Sequence, residues 1–265
     1  MKNLRNLSFL VLFLLVISAC NSGKKGYTKL VWADEFEYSG SPDSSKWDYE
    51  KGYIRNNEMQ YYTNKTENVR VENGNLIIEA HRDSSVVGND TLNVTSASLI
   101  TAGKQEWTYG RVEVRAKIPS FLGSWPAIWM LGSNIHEVGW PKCGEIDIME
   151  NVGFDPDTVH FNIHTEAYNH VKGTNKGKKV YLKDPEAEFH VYAVEWFEDR
   201  LDFYLDSVKV FTFANEGNGT DVWPFNKPHY LILNLAVGGA WGGVMGVDEK
   251  ALPQKFLIDY VRVYQ

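Results

Sequence analysis

The sequence predicts an all-β fold, a curved antiparallel β-sandwich or jelly roll with a concave cleft. Three observations predict it: apolar and polar residues alternate with period two, turn signals interrupt the chain at short intervals, and no stretch shows sustained helical periodicity. The pattern is clearest in Gly110–Ile118, where Arg111, Glu113, Arg115 and Lys117 fall on one face and Val112, Val114, Ala116 and Ile118 on the other. Similar segments are Val69–Val71, Leu76–His81, Ala97–Thr101, Thr158–His164, Phe189–Phe197, Leu201–Leu205, Lys209–Phe213, Tyr230–Val237 and Phe256–Tyr264. Between them stand Ser39-Gly-Ser-Pro42, Glu72-Asn-Gly-Asn75 and Asn215-Glu-Gly-Asn-Gly219. Without crossover helices, such strands must pair antiparallel and stack as two sheets.

The 265 residues divide into three parts. Residues 1–19 read as a lipoprotein signal peptide: Lys2 and Arg5, an apolar run from Leu7 to Ile17, then Ser18-Ala19-Cys20. The run falls short of the roughly 20 residues a spanning helix needs. Ile17-Ser-Ala-Cys20 resembles the lipobox of bacterial lipoproteins, which implies lipidation of Cys20, residues 20–26 as a tether, and a secreted protein anchored at the outer membrane or cell surface. Residues 27–265 show no composition break and read as one catalytic domain, expected to be monomeric. The other cysteine is Cys143, so the mature chain gains nothing from an internal disulfide, and a buried, inert thiol is expected there. The net charge of −7 gives no reason to approach nucleic acid and favours a neutral polymer over a sulfated one.

Glu145-Ile-Asp-Ile-Met-Glu150 carries the chemistry. In a strand, Glu145 and Asp147 share one face and Ile146 and Ile148 the other. Strict alternation would then bury Glu150 among the isoleucines, at a cost of several kcal/mol. A β-bulge at about Met149 resolves the conflict by returning Glu150 to the face of the other acids. Acids crowded this way cannot all ionise freely, and a carboxylic acid that keeps its proton near neutrality is what glycoside hydrolysis requires. A retaining mechanism needs two carboxyls about 5–5.5 Å apart, so the side chains must lean together across a bent strand.

The same string resembles the bulged signature of glycoside hydrolase family sixteen, in particular its laminarinase-like endo-β-1,3-glucanases. Supporting strings, in the family's order, are Leu30-Val-Trp-Ala-Asp-Glu-Phe36, Asn56-Asn-Glu-Met-Gln-Tyr-Tyr-Thr63, Trp125-Pro-Ala-Ile-Trp-Met-Leu131, Val138-Gly-Trp-Pro-Lys-Cys-Gly-Glu145, Leu233-Asn-Leu-Ala-Val-Gly-Gly239 and Asp259-Tyr-Val-Arg-Val-Tyr264. The resemblance implies retaining hydrolysis of β-1,3-glucan or mixed β-1,3/1,4-glucan, with Glu145 as nucleophile, Glu150 as acid and base, and Asp147 tuning the pair. It implies sugar contacts at Asn56, Asn57 and Glu58, and places His164 beside the acid/base. No catalytic cofactor is implied. A structural calcium ion is implied at Glu35, Gly74 and Asp259.

A pyranose stacks its C–H face on indole rings, and Trp125, Trp129, Trp140 and Trp241 are the expected platforms; Trp32, Trp47, Trp107 and Trp223 are expected in the core. The Lys- and Gly-rich segment Glu166–Lys179 reads as loops bordering the cleft and bears on fine substrate preference. The same mechanism on agarose, porphyran or carrageenan is the alternative; a non-catalytic glucan-binding lectin is disfavoured because all three acids are present.

Overall fold

A computed structural model of the chain describes residues 26–265 apart from Asn89. The leader (1–19), Cys20 and the tether up to residue 25 lie outside the described residues. Among those described, a seven-stranded sheet runs in the order Lys176–Tyr181, Thr158–His164, Glu145–Asn151, Ser124–Gly132, His229–Val237, Ser98–Ile100 and Asp48–Tyr49. A ten-stranded sheet packs behind it, built around Gly110–Lys117 and Gln254–Tyr264. Almost every pairing is antiparallel; Gln60–Tyr62 runs parallel to Val94–Ser96. The α-helices are single turns at Ile135–Val138 and Gly239–Gly242.

The period-two reading explains the layering. Val112, Val114, Ala116 and Ile118 are all buried, and they join Ile128, Met130, Ile146, Phe161, Ile163, Leu233 and Leu235 from the opposite sheet in one core. On the other face of the same strand, Arg111 pairs with Glu113 and Arg115 with Asp259, so the back of the larger sheet is a solvated lattice of ion pairs. Trp47, Trp107 and Trp223 are buried in the core, and Trp32 packs edge-on against Trp47 and Trp107. Trp196, whose face the pattern leaves open, is fully buried and donates its indole N–H to the carbonyl of Phe225.

Two segments differ from the sequence reading. Lys176–Tyr181 is a strand, not a loop, at one edge of the seven-stranded sheet and paired on one side only, to Thr158–Ile163. Its lysines suit that position, because charge on an edge blocks pairing with another chain. Ser124–Gly132 is a strand although it contains Pro126, which breaks most central strands. Here the ladder to the Glu145–Asn151 strand begins at Ala127, one residue after the proline.

The central irregularity lies between Asp147 and Glu150. Against one neighbour, Trp129 pairs with Asp147 but Ile128 with Met149; against the other, Asn162 pairs with Asp147 but His160 with Glu150. Both ladders therefore slip by one residue at Ile148–Met149, and Ile146, Ile148 and Met149 are all fully buried in the core. Each such side chain contributes about 1.5–3 kcal/mol through burial, so packing holds the bulge in place. Met149→Ala should therefore lower unfolding stability by about 2–5 kcal/mol, read as a reduced urea midpoint with unchanged slope.

Candidate active site

The bulge sets the three acids on the face turned away from the core, where they line a cleft of about 850 Å³. Each outer carboxylate is held by one indole. Trp140 donates its Nε1–H to Glu145 Oε2 at 2.9 Å, and Trp125 donates to Glu150 Oε1 at 3.0 Å. His164 stands opposite Glu145, not beside Glu150 as the resemblance implies, because the strand register gives Glu150 His160 as its partner; its Nε2 lies 3.7 Å from Glu145 Oε1 and 3.4 Å from Asp147 Oδ2. Trp241 meets both Trp125 and His160 edge-on, with ring centroids 5.3 and 4.8 Å apart, and closes the wall beside Glu150.

Burial dominates the electrostatics. It pushes the Glu145 carboxyl up to about 8, helped by repulsion from Asp147. Asp147, only 2% exposed, is raised by its own desolvation. Glu150 is raised well above the usual carboxylate range, first by burial and then by the charges of Asp147 and Glu145 together. Repulsion from both other acids gives Glu150 a strong reason to keep its proton. Burial, with Lys179 nearby, lowers His160 to about 4, so that ring is neutral near pH 7.

The other sequence-predicted residues divide. Asn56, Glu58, Trp125, Trp129, Trp140, His164 and Trp241 all line the cleft, whereas Asn57 does not. Asn56 and Asn57 both adopt the left-handed conformation, φ 55° and 53°, which asparagine tolerates better than most residues. The resulting turn docks on the Trp241 loop through Ala240 N–H, which donates to the Asn56 carbonyl at 2.8 Å. Asn57 is thus a turn residue. Glu58 is buried and accepts from Asn56, Gln60 and Tyr62, which leaves its carboxylate little capacity for a sugar. Trp129 is only 8% exposed, with the Arg55 guanidinium 5.0 Å over its ring and its N–H donated to Asn234. Its role is to brace the floor, and Trp125, Trp140 and Trp241 remain as the more accessible rings.

Arg55, Gln60, Tyr62 and Asn234 escaped the sequence reading. Asn234 donates to the Tyr62 hydroxyl, which donates to Glu58, and Arg55 forms an ion pair with Glu50. Asn234 did leave a signal, a lone polar residue inside the apolar run Tyr230–Val237. Cys143 is a buried free thiol pushed up to about 12 by burial, as expected of an inert cysteine.

The expected calcium ligands do not fit an ion. Both oxygens of Glu35 accept from Arg262 at 2.8 Å, and Asp259 Oδ2 accepts from Arg115 at 2.6 Å. Gly74 forms the left-handed Asn73-Gly74 turn. Carboxylates already neutralised by guanidinium groups are poor partners for a hard cation, which prefers six to eight oxygens.

The pattern of Glycosyl hydrolases family 16 matches residues 56–262. The chain belongs to this family and is a glycoside hydrolase. It is 47% identical over 278 residues to a beta-glucanase of Rhodothermus marinus, covering 100% of this chain and 96% of that one. A solved structure of a non-specific endo-β-1,3(4)-glucanase of family 16 superposes with a TM-score of 0.84 at 50% identity, covering 89% of this chain and 91% of that one. A keratan-sulfate endo-1,4-β-galactosidase of Sphingobacterium multivorum is 36% identical over 240 residues, covering 89% of this chain and 55% of the relative.

The raised acids have a consequence for stability. A carboxyl whose folded pKa exceeds its unfolded value binds its proton more tightly in the native state, so its contribution is fully present below the unfolded pKa of about 4 and is lost as pH rises through the folded value. The melting temperature should therefore fall between pH 5 and pH 9. Asp147→Asn removes one buried charge and should fall less, gaining on the order of 1 kcal/mol over the parent at pH 9; thermal denaturation at both pH values checks this.

Proposed function

We propose that the protein hydrolyses internal bonds of β-1,3-glucan or mixed β-1,3/1,4-glucan with retention of anomeric configuration, using Glu145 as nucleophile and Glu150 as acid and base. The observation that carries this reading is the slip at Ile148–Met149, which turns Glu145, Asp147 and Glu150 into one cleft. The β-glucanase and endo-β-1,3(4)-glucanase relatives support the polymer.

In the first step Glu145, which faces the charge of Asp147 alone whereas Glu150 faces both other acids, attacks the anomeric carbon in its ionised form while Glu150 gives its proton to the departing glycosidic oxygen, leaving a glycosyl ester on Glu145. Glu150, now ionised, takes a proton from water, and the resulting attack on the same carbon frees Glu145. The indole of Trp140 fixes the orientation of Glu145 from one side, and His164 stands on the other. Asp147 opposes premature ionisation of Glu150 by its charge. Trp125 ties the acid/base to the ring wall formed with Trp241, so sugar stacking and proton delivery are mechanically linked.

The galactan reading has one supporting observation, the keratan-sulfate relative, while Lys178 and Lys179 line the cleft rim. Incubation with laminarin, lichenan, agarose and carrageenan separates the two: laminarin or lichenan should yield oligosaccharides, and release from agarose or carrageenan alone overturns the glucan assignment. Glu145→Gln should reduce reducing-sugar release by at least a thousandfold, a loss of roughly 4 kcal/mol of transition-state stabilisation, while oligosaccharide binding persists. Proton NMR should show β-anomer in the first products.

Residues 1–19 as leader, Cys20 as acyl acceptor and residues 20–26 as tether make the protein a lipoprotein of the outer membrane or cell surface. The apolar run Leu7–Ile17 and the string Ile17-Ser-Ala-Cys20 support this. Expressed in a bacterium with its leader, the protein should sediment with membranes; Cys20→Ala should move it to the soluble fraction, and equal partitioning of both refutes the anchor.

A further inference from the structure

Beside Trp140, three donor atoms converge in a way that acid/base hydrolysis does not use. One ligand atom from each of Glu145, Asp147 and His164 lies within 4.8 Å of the other two. The imidazole nitrogen stands 3.4 Å from Asp147 Oδ2 and 3.7 Å from Glu145 Oε1. A tetrahedral zinc ion holds its nitrogen and oxygen ligands at about 2.0–2.2 Å, which places those ligands roughly 3.3–3.5 Å from each other. The two imidazole–carboxylate spacings are close to those of a zinc site, and the two carboxylates lie within 4.8 Å of each other.

Two further observations point to a ligand at this place. Asp147 is 2% exposed, yet among the described residues no N–H or O–H donor is aligned on its Oδ2, and its near neighbour there is the Glu145 carboxyl. Glu145 is oriented by Trp140 through Oε2, which leaves Oε1 turned toward His164. One imidazole and two carboxylates form a borderline donor set that suits zinc better than magnesium or calcium, which prefer all-oxygen shells.

We propose that a zinc ion binds Glu145, Asp147 and His164 in the sugar-free cleft, with its fourth position open to the cleft, and thereby excludes the glycan. The ion is an inhibitor here and takes no part in hydrolysis. His164 Nδ1 is buried without a hydrogen-bond partner, so the site lacks the outer support that resident metal sites give their histidines. Binding is accordingly reversible and competes with sugar, since both occupy the same carboxylate.

Calorimetric titration of the protein with Zn²⁺ tests this without relying on turnover, so its failure would leave the hydrolase reading intact. One ion per chain is expected, with no saturable heat from Mg²⁺. His164→Gln and Asp147→Asn should each weaken zinc binding at least tenfold, and either variant suffices if the other does not fold. Glu150→Gln, whose altered side chain is not a ligand, and Cys143→Ser, which removes the nearby thiol, should bind zinc within about threefold of the parent. In the Glu150→Gln variant, an oligosaccharide first shown by titration to saturate the cleft should weaken zinc binding at least tenfold. Zinc affinity unchanged in both His164→Gln and Asp147→Asn, affinity lost in Cys143→Ser, or zinc binding indifferent to a saturating oligosaccharide overturns the proposal.

Discussion

Two carboxylates can serve one sugar only if both leave the same side of a sheet, and in a strand whose side chains alternate that requirement fixes the number of residues between them. Glu145 and Glu150 have the wrong number for a regular strand. The chain meets the requirement with one extra residue, and the structure around the site is organised to hold that residue in place. Ile148 and Met149 both enter the core, so their burial opposes any return to regular pairing. Both neighbouring strands accept the slip, at Ile128/Trp129 on one side and between Asn162 and His160 on the other. The back sheet supplies the apolar surface on which the bulge rests.

The same arrangement sets a tension between stability and chemistry. Three acids drawn out of water are costly, and the protein reduces that cost with two indole N–H donors and a nearby imidazole. Full charge compensation would hold every proton off. Partial compensation leaves the carboxyls raised, which gives Glu150 a proton to donate and leaves Asp147 Oδ2, among the described residues, without an aligned hydrogen-bond donor. Arg55 lines the cleft, paired with Glu50 and set over the Trp129 ring, and lowers Glu145 only from a distance, while Arg115 and Arg262 lie on the solvated back of the larger sheet.

Much of this was legible in the sequence because alternation is a local property. Gly110–Ile118 and Thr158–His164 display it residue by residue, and the conflict between Ile148 and Glu150 announced the bulge. What stayed hidden depends on partners far along the chain. Lys176–Tyr181 resembles a loop by composition and becomes a strand because Thr158–Ile163 offers it a ladder. Trp129 resembles its neighbour Trp125 as a sugar platform, but Arg55 covers one and not the other. Glu58 lines the cleft as the sequence reading placed it, but the Gln60 and Tyr62 donors that folding brings to its carboxylate were not legible. Glu35 and Asp259 read as calcium ligands where arginines claim both.

The direct test is to trap the enzyme during turnover and ask which carboxylate has reached the anomeric carbon. A 2-deoxy-2-fluoro β-glucan disaccharide carrying a fluoride leaving group forms a slowly hydrolysed ester with whichever carboxylate attacks, and peptide mass spectrometry locates it. A single label on Glu145 is the result that the bulged geometry predicts. A label on Asp147 or on Glu150 would contradict it.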